Sequence, residues 1–161
     1  MNQRIYNYSI HLIARQDYSE YKLRRKLLSK PDNTPEEVDE VIAALKEKNL
    51  INEEAYKRLF IRKWMFKGES EDKIRKRGTL EKLTFTSEEF QRVTEELGFN
   101  DEDSLQKLVA KKLRSKEIPS DFKERLKLQD KVLRFLISKG HDYSDAKDEV
   151  KKYFNKQSNE Y

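Results

Sequence analysis

The stretch KLRRKLLSKPDNTPEEVDEVIAAL, residues 22–45, decides the fold. Laid without a gap on KVLRFLISKGHDYSDAKDEVKKYF, residues 131–154, it is identical at eight of 24 positions. The matches are Lys22, Arg25, Leu27, Ser29, Lys30, Asp39, Glu40 and Val41, each against a residue 109 further on. Leu23 and Leu28 meet Val132 and Ile137, so the apolar face is kept with the identities. That face has helical spacing: Leu23, Leu27 and Leu28 on one segment, Val38, Val41, Ile42 and Leu45 on the next. Between them TPEE, Thr34 to Glu37, has the form of a capping box with Pro at the first helical position.

Working outward, the same signals recur. TSEE, Thr86 to Glu89, is a second capping box. Asn52 and Asn100 precede acidic first turns, which suits an N-cap and the helix dipole. Gly98 and Gly140, and less easily Asn49, follow helical patterns and suit a left-handed C-terminal turn. Leu105, Leu108, Val109 and Leu113 repeat the helical spacing. Only four Gly and three Pro punctuate the chain, and strand signals are almost absent. The spacing predicts nine helices, near 4–15, 19–30, 35–48, 53–67, 70–83, 87–97, 101–115, 121–139 and 144–155. A middle segment joins the repeat: KIRKR from Lys73 aligns with KLRRK, and SEEFQRV with PEEVDEV after a shift of one residue.

The expected fold is all-α, as three tandem three-helix repeats stacked into an elongated, curved molecule. The first repeat covers 1–49, the second 50–99, and the third 100–161 with a short C-terminal tail. A three-helix unit of this size has little core of its own, so neighbouring units should lean on one another. Gly78 stands where the pattern wants a leucine four residues after Ile74. Glycine inside a helix costs about 1 kcal/mol against alanine, so this helix should be kinked, shifted or short.

Composition narrows the function. Charged residues make up 40% of the 161 and hydrophobic residues 35%, with mean hydropathy −1.04. Disorder needs low hydrophobicity together with high net charge, and here 35 Lys and Arg against 30 Asp and Glu leave only +5. Many amphipathic helices with thin cores fit these totals. No cysteine is present, which excludes disulfides, thiolate catalysis and zinc–thiolate sites. No apolar run reaches the roughly 18 residues of a membrane span, so no membrane association and a cytoplasmic location are expected. A pI near 9.2 permits an anionic partner without demanding one.

Three stretches, in order, resemble the RecX family. LIARQDYSEYKLRRKLLSK, 12–30, is similar to its opening helix pair. NLINEEAYKRLFIRKW, 49–64, is similar to its junction, with Ala55, Tyr56, Phe60, Ile61 and Arg62 in matching places. KGESEDKIRKR, 67–77, resembles the following Gly, small residue and basic Ile helix. Pro31 and Asn49 stand where the family usually has Gly, and Gly78 is a further departure. The resemblance implies a small regulator, mainly an inhibitor, of RecA recombinase. Such a protein binds in the groove of the RecA filament on single-stranded DNA and limits its extension, ATPase and strand exchange. It implies no catalytic centre and no cofactor; a monomer is expected.

KLRRKLLSK holds five basic residues and no acid. One isolated basic face reads as a solvated helix surface. Recurrence turns it into a candidate stripe, because 57–67 and 107–116 also hold five basic residues without an acid, and 73–77 holds four in five. The candidate partner-binding residues of the first segment are Lys22, Arg24, Arg25, Lys26 and Lys30. The middle segment supplies Arg62, Lys63, Lys67, Lys73, Arg75, Lys76 and Arg77. The last supplies Lys111, Lys112 and Arg114. Their target is acidic RecA surface, DNA phosphate reached weakly in the groove, or both. The alternative is a direct nucleic-acid-binding helical module without a RecA target, since three-helix units resemble helix-turn-helix domains.

Other site readings are weaker. Trp64 and Phe66 among basic residues invite base stacking, but helical spacing makes Phe60, Trp64 and Ile61 core positions. Tyr18 and Tyr21 read as packing residues. His11 and His141 lack metal-ligand spacing, and no phosphate loop or nucleophile elbow is present. Asp101, Glu102 and Asp103 read as an acidic helix start rather than a metal site.

Overall fold

The computed structural model describes residues 1–158, and of these the side chains of 101–103 and 158 are left aside. The acidic triplet at Asp101, Glu102 and Asp103 therefore falls outside the described side chains. Among the described residues the secondary structure is nine α-helices and no strand. They are α1 (Gln3–Ile13), α2 (Glu20–Leu28), α3 (Pro35–Glu47), α4 (Glu53–Phe66), α5 (Glu71–Thr79), α6 (Ser87–Leu97), α7 (Asp101–Leu113), α8 (Phe122–Ser138) and α9 (Tyr143–Ser158). None is long and apolar enough to cross a membrane.

The helix starts follow local chemistry. The Thr34 and Thr86 side chains accept from the amides of Glu37 and Glu89, whose carboxylates reach back in turn, closing both capping boxes. Asn52 accepts from the Ala55 amide at 3.0 Å. Asn2, Ser19 and Asp121 cap α1, α2 and α8 in the same way. The helix ends also share one device. Asn49 at φ 53°, Gly98 at φ 61° and Gly140 at φ 88° are left-handed, and the next amide reaches back five residues.

The fifth helix departs from expectation. It ends at Thr79, four residues before the predicted end. Lys82, at φ 57°, takes the left-handed turn, and the Leu83 amide donates to the Gly78 carbonyl at 2.9 Å. The glycine is not a simple breaker. It is fully helical, and an added Cβ would collide with Phe85 Cε2 and lie 3.0 Å from Phe85 Cζ. The buried Phe85 ring occupies the space a leucine side chain would fill.

The chain divides into two compact units. The first comprises Met1–Phe60 with Arg77–Phe85; the second comprises Ile61–Lys76 with the chain from Thr86 onward. In the first, α1, α2 and α3 enclose Ile5, Leu23, Leu27, Val38, Val41, Ile42, Leu45 and Ile51. Burying one such side chain fully contributes about 1.5–3 kcal/mol. Phe60 stacks on Phe85 within the same unit, centroids 5.6 Å apart. In the second, α7, α8 and α9 enclose Val109, Leu113, Val132, Leu136, Ala146, Val150 and Phe154. There Gly140 has no room for a Cβ, which would fall 2.7 Å from Lys73 Cβ. The Ser70 amide donates to the Lys139 carbonyl at 2.9 Å at the same place.

Candidate functional site

On α2 the packing sorts the side chains. Leu23 and Leu27 are fully buried, so Lys22, Arg25 and Lys26 point to solvent. Two of the five candidate cations here already have carboxylate partners. Lys22 pairs with Glu81 at 2.5 Å, and that carboxylate, only 14% exposed, also accepts from the Tyr56 hydroxyl at 2.7 Å. Burial first, and then the Glu81 contact, push the Tyr56 phenol well above its ordinary range. Arg24 grips Asp39 with two bonds, 2.7 and 3.3 Å. The hydrogen bond from Arg24 holds the Asp39 carboxyl below the usual carboxylate range. Arg25, Lys26 and Lys30 remain exposed, with Arg25 5.7 Å from the Tyr21 ring and Lys30 5.6 Å from that of Tyr8.

In the second unit the candidates fall into three groups. Lys63 and Lys67 flank the half-buried Trp64 ring at 5.3 and 4.4 Å. Arg62 lies 5.6 Å from Phe66, which is 56% exposed and meets Phe99 edge-on. Phe60 and Ile61 are buried as their spacing requires, whereas Phe66 is a surface residue. Lys73 is held internally, pairing with the buried Glu69 at 3.6 Å and donating to the Ser138 carbonyl. Arg75 pairs with Glu71 at 2.5 Å and lies over Phe90 at 4.7 Å. Lys76 stands exposed. Arg77 belongs to the first unit and is half-buried.

Lys111, Lys112 and Arg114 project from the end of α7. Lys111 joins Lys107 at the edge of a hollow of about 120 Å³, lined by Met65, Phe66, Phe99 and Leu108. The His141 ring meets the Gly68 carbonyl at 2.7 Å, a structural contact within the unit. Lys112 lies 4.3 Å from the Phe135 ring centroid. Lys139, which the sequence reading leaves out, lies 5.6 Å from the same ring. Their meeting depends on how α7 folds onto α8, and no single-helix spacing reveals it. Among the described residues no three His, Asp or Glu side chains converge as metal ligands.

No protein-family model matches the chain. Among curated proteins, Regulatory protein RecX of Haemophilus ducreyi is 32% identical over 136 residues, covering 83% of this chain and 82% of that protein. Regulatory protein RecX of Streptococcus gordonii is 34% identical over 123 residues. That match covers 74% of this chain and 44% of the streptococcal protein, so the chain spans less than half of that relative. Regulatory protein RecX of Haemophilus influenzae is 24% identical over 140 residues, 87% of this chain and 88% of that protein. An all-helical chain carrying the helix-pair, junction and basic-helix stretches, matched over most of its length to proteins of one name, belongs to the RecX family.

Proposed function

We propose that this chain regulates RecA recombinase, mainly as an inhibitor. It binds in the groove of the RecA filament on single-stranded DNA and limits extension, ATP hydrolysis and strand exchange. Membership of the RecX family carries this reading. In the same reading the chain acts in the cytoplasm as a monomer, by occupancy rather than catalysis. Three-helix repeats at 1–49, 50–99 and 100–161, stacked in a row, would spread many modest contacts along a filament. Occupying one filament geometry shifts the population away from others.

The structure refines which cations are available for contact. Arg25, Lys26 and Lys30 in the first unit, and Arg62, Lys63, Lys67, Lys76, Lys111, Lys112 and Arg114 in the second, make no ion pair among the described residues. Lys22, Arg24, Lys73 and Arg75 already serve internal carboxylates. Reversing Lys26, Lys30, Lys63 and Lys76 together should therefore weaken filament binding without unfolding the chain. The deciding measurement is RecA's DNA-dependent ATPase with the protein titrated from far below stoichiometry. A falling rate, restored by the charge-reversed variant, is the expected outcome. An unchanged rate with correctly folded protein removes RecA as the target.

A further inference from the structure

Three helix starts share one short pattern of serine, acid, any residue and lysine: SEYK at 19–22, SEDK at 70–73 and SDFK at 120–123, spaced 51 and 50 residues apart. They open α2, α5 and α8. In the first two the serine hydroxyl accepts from the lysine amide, at 3.2 and 3.3 Å. In the third the cap moves on by one residue, and Asp121 accepts from the Glu124 amide at 2.9 Å.

The first two corners are seated in the same kind of joint, each inside one compact unit. SEYK lies against α4 and the turn that follows α5. Lys22 pairs with Glu81 of that turn, the Glu20 amide donates to the Glu53 carboxylate of α4 at 3.2 Å, and Ser19 is fully buried. SEDK lies against the α8–α9 turn, with Gly68 just before it pressed on Leu108 of α7. Lys73 donates to the Ser138 carbonyl, and the Ser70 amide to the Lys139 carbonyl at 2.9 Å. Continuing the pattern leaves one corner and one seat over. All four residues of SDFK are exposed, Phe122 to 71%. The seat, between α1 and the α2–α3 turn, is an open hollow of about 310 Å³ whose lining includes Arg4, Tyr8, Lys30 and Asp32. The Asp32 side chain is 76% exposed and lies 3.6 Å from Arg4.

We propose that this hollow receives the SDFK corner of a second copy of the chain, so that copies join head to tail. Lys123 meets Asp32 as Lys22 meets Glu81, Asp121 meets Lys30, and Phe122 covers the Tyr8 side chain. Such a contact is heterologous, and a row of copies ends with one seat and one corner open. Inside the chain the joint forms at an effective concentration on the order of millimolar, so separate copies stay monomeric at micromolar concentration. Copies bound side by side on a filament reach the required range; that use alone rests on the RecA reading. The joint itself is tested without RecA.

The chain has no cysteine, so single introduced thiols report the joint without background. Pro31→Cys places one beside the seat and keeps Asp32; Ser120→Cys places one on the corner and keeps Lys123. The two variants of the full chain are mixed in equal amounts at millimolar concentration and oxidised with glutathione disulfide. The mixed dimer, identified by mass, should form about tenfold faster than either homodimer. Asp32→Lys in the seat variant, or Lys123→Asp in the corner variant, should each slow it by about fivefold. Both changes together restore the rate, because the charge pair forms again in reverse. Circular dichroism checks that each variant keeps its helices. The proposal is overturned if homodimers form as fast as the mixed dimer, if neither charge change slows it, or if the double swap stays as slow as the single ones.

Discussion

The helices α1–α3 and α7–α9 are two versions of one pattern, and they differ in how they use charge and volume. The buried positions Leu23, Leu27, Val41 and Leu45 align with Val132, Leu136, Val150 and Phe154, all buried. The frame is thus kept while its filling changes. In the third helix the first copy buries Val38 and Ile42 as well, where the second has Lys147 and Lys151 on the surface and relies on Ala146 and Phe154. The smaller and larger residues compensate across the core, which tolerates altered side chains provided total volume is kept. The charges diverge more. The first copy closes Lys22 and Arg24 onto Glu81 and Asp39, while in the second Lys112 and Lys139 lie over the Phe135 ring. Two similar sequences can therefore keep one apolar frame while answering their cations differently.

The largest test of this comparison is in the cores. Phe154→Ala should cost about 3–5 kcal/mol and Leu45→Ala, at the aligned position, about 2–5 kcal/mol, both read by denaturant unfolding. The Arg125 guanidinium lies 5.9 Å from the Phe154 ring centroid, a contact the alanine removes, while its hydrogen bond to the backbone carbonyl at 2.7 Å remains available. A negligible cost at Phe154 would break the equivalence of the two cores.

The middle segment offers a sharper test of intermediate size. Aligning KIRKR with KLRRK puts Gly78 opposite Leu27, and Phe85 covers it. Helix propensity alone favours Gly78→Ala by about 1 kcal/mol, whereas overpacking against Phe85 costs about 1–3 kcal/mol. The close approach should win, giving net destabilisation. The loss should shrink in the Phe85→Ala background, as a double-mutant cycle would measure. A stabilised Gly78→Ala would mean the ring yields easily.

The smallest effects are in pH. Asp39 has a folded pKa below its unfolded value. Its stabilisation is present above the unfolded pKa and lost as pH falls through the folded one. Arg24→Gln should flatten that acid limb of thermal stability. Lys116 also has a lowered folded pKa, so the unfolded chain binds more protons just below the ordinary lysine range. Stability contributed there should rise with pH through that window, and Lys131→Gln should remove the rise. A variant that leaves its limb of the profile unchanged would show that the charge it removes does not set that pKa.

Much of this was legible in sequence because it depends on neighbours along the chain. The capping boxes at Thr34 and Thr86 and the left-handed turns at Asn49, Gly98 and Gly140 stand where residue chemistry puts them. The caps at Asn2, Ser19 and Asp121 carry the same residue chemistry without a capping box to mark them. The end of α5 was not legible. A lysine in a left-handed turn is disfavoured locally, and the burial of Leu83 and Phe85 beyond it selects that conformation. The basic runs could be counted from the sequence, but a run does not say which cations are already answered.

The sequence by itself determined the order of the helices among the described residues, the caps at Thr34, Asn52 and Thr86, the repeated apolar frame and the family, all of which are encoded by short-range periodicity and residue order. Only the tertiary structure decided that Lys22 faces a carboxylate while Lys112 rests against the Phe135 ring. Such pairings join residues tens of positions apart, and they are set by how helix packs on helix rather than by any local preference.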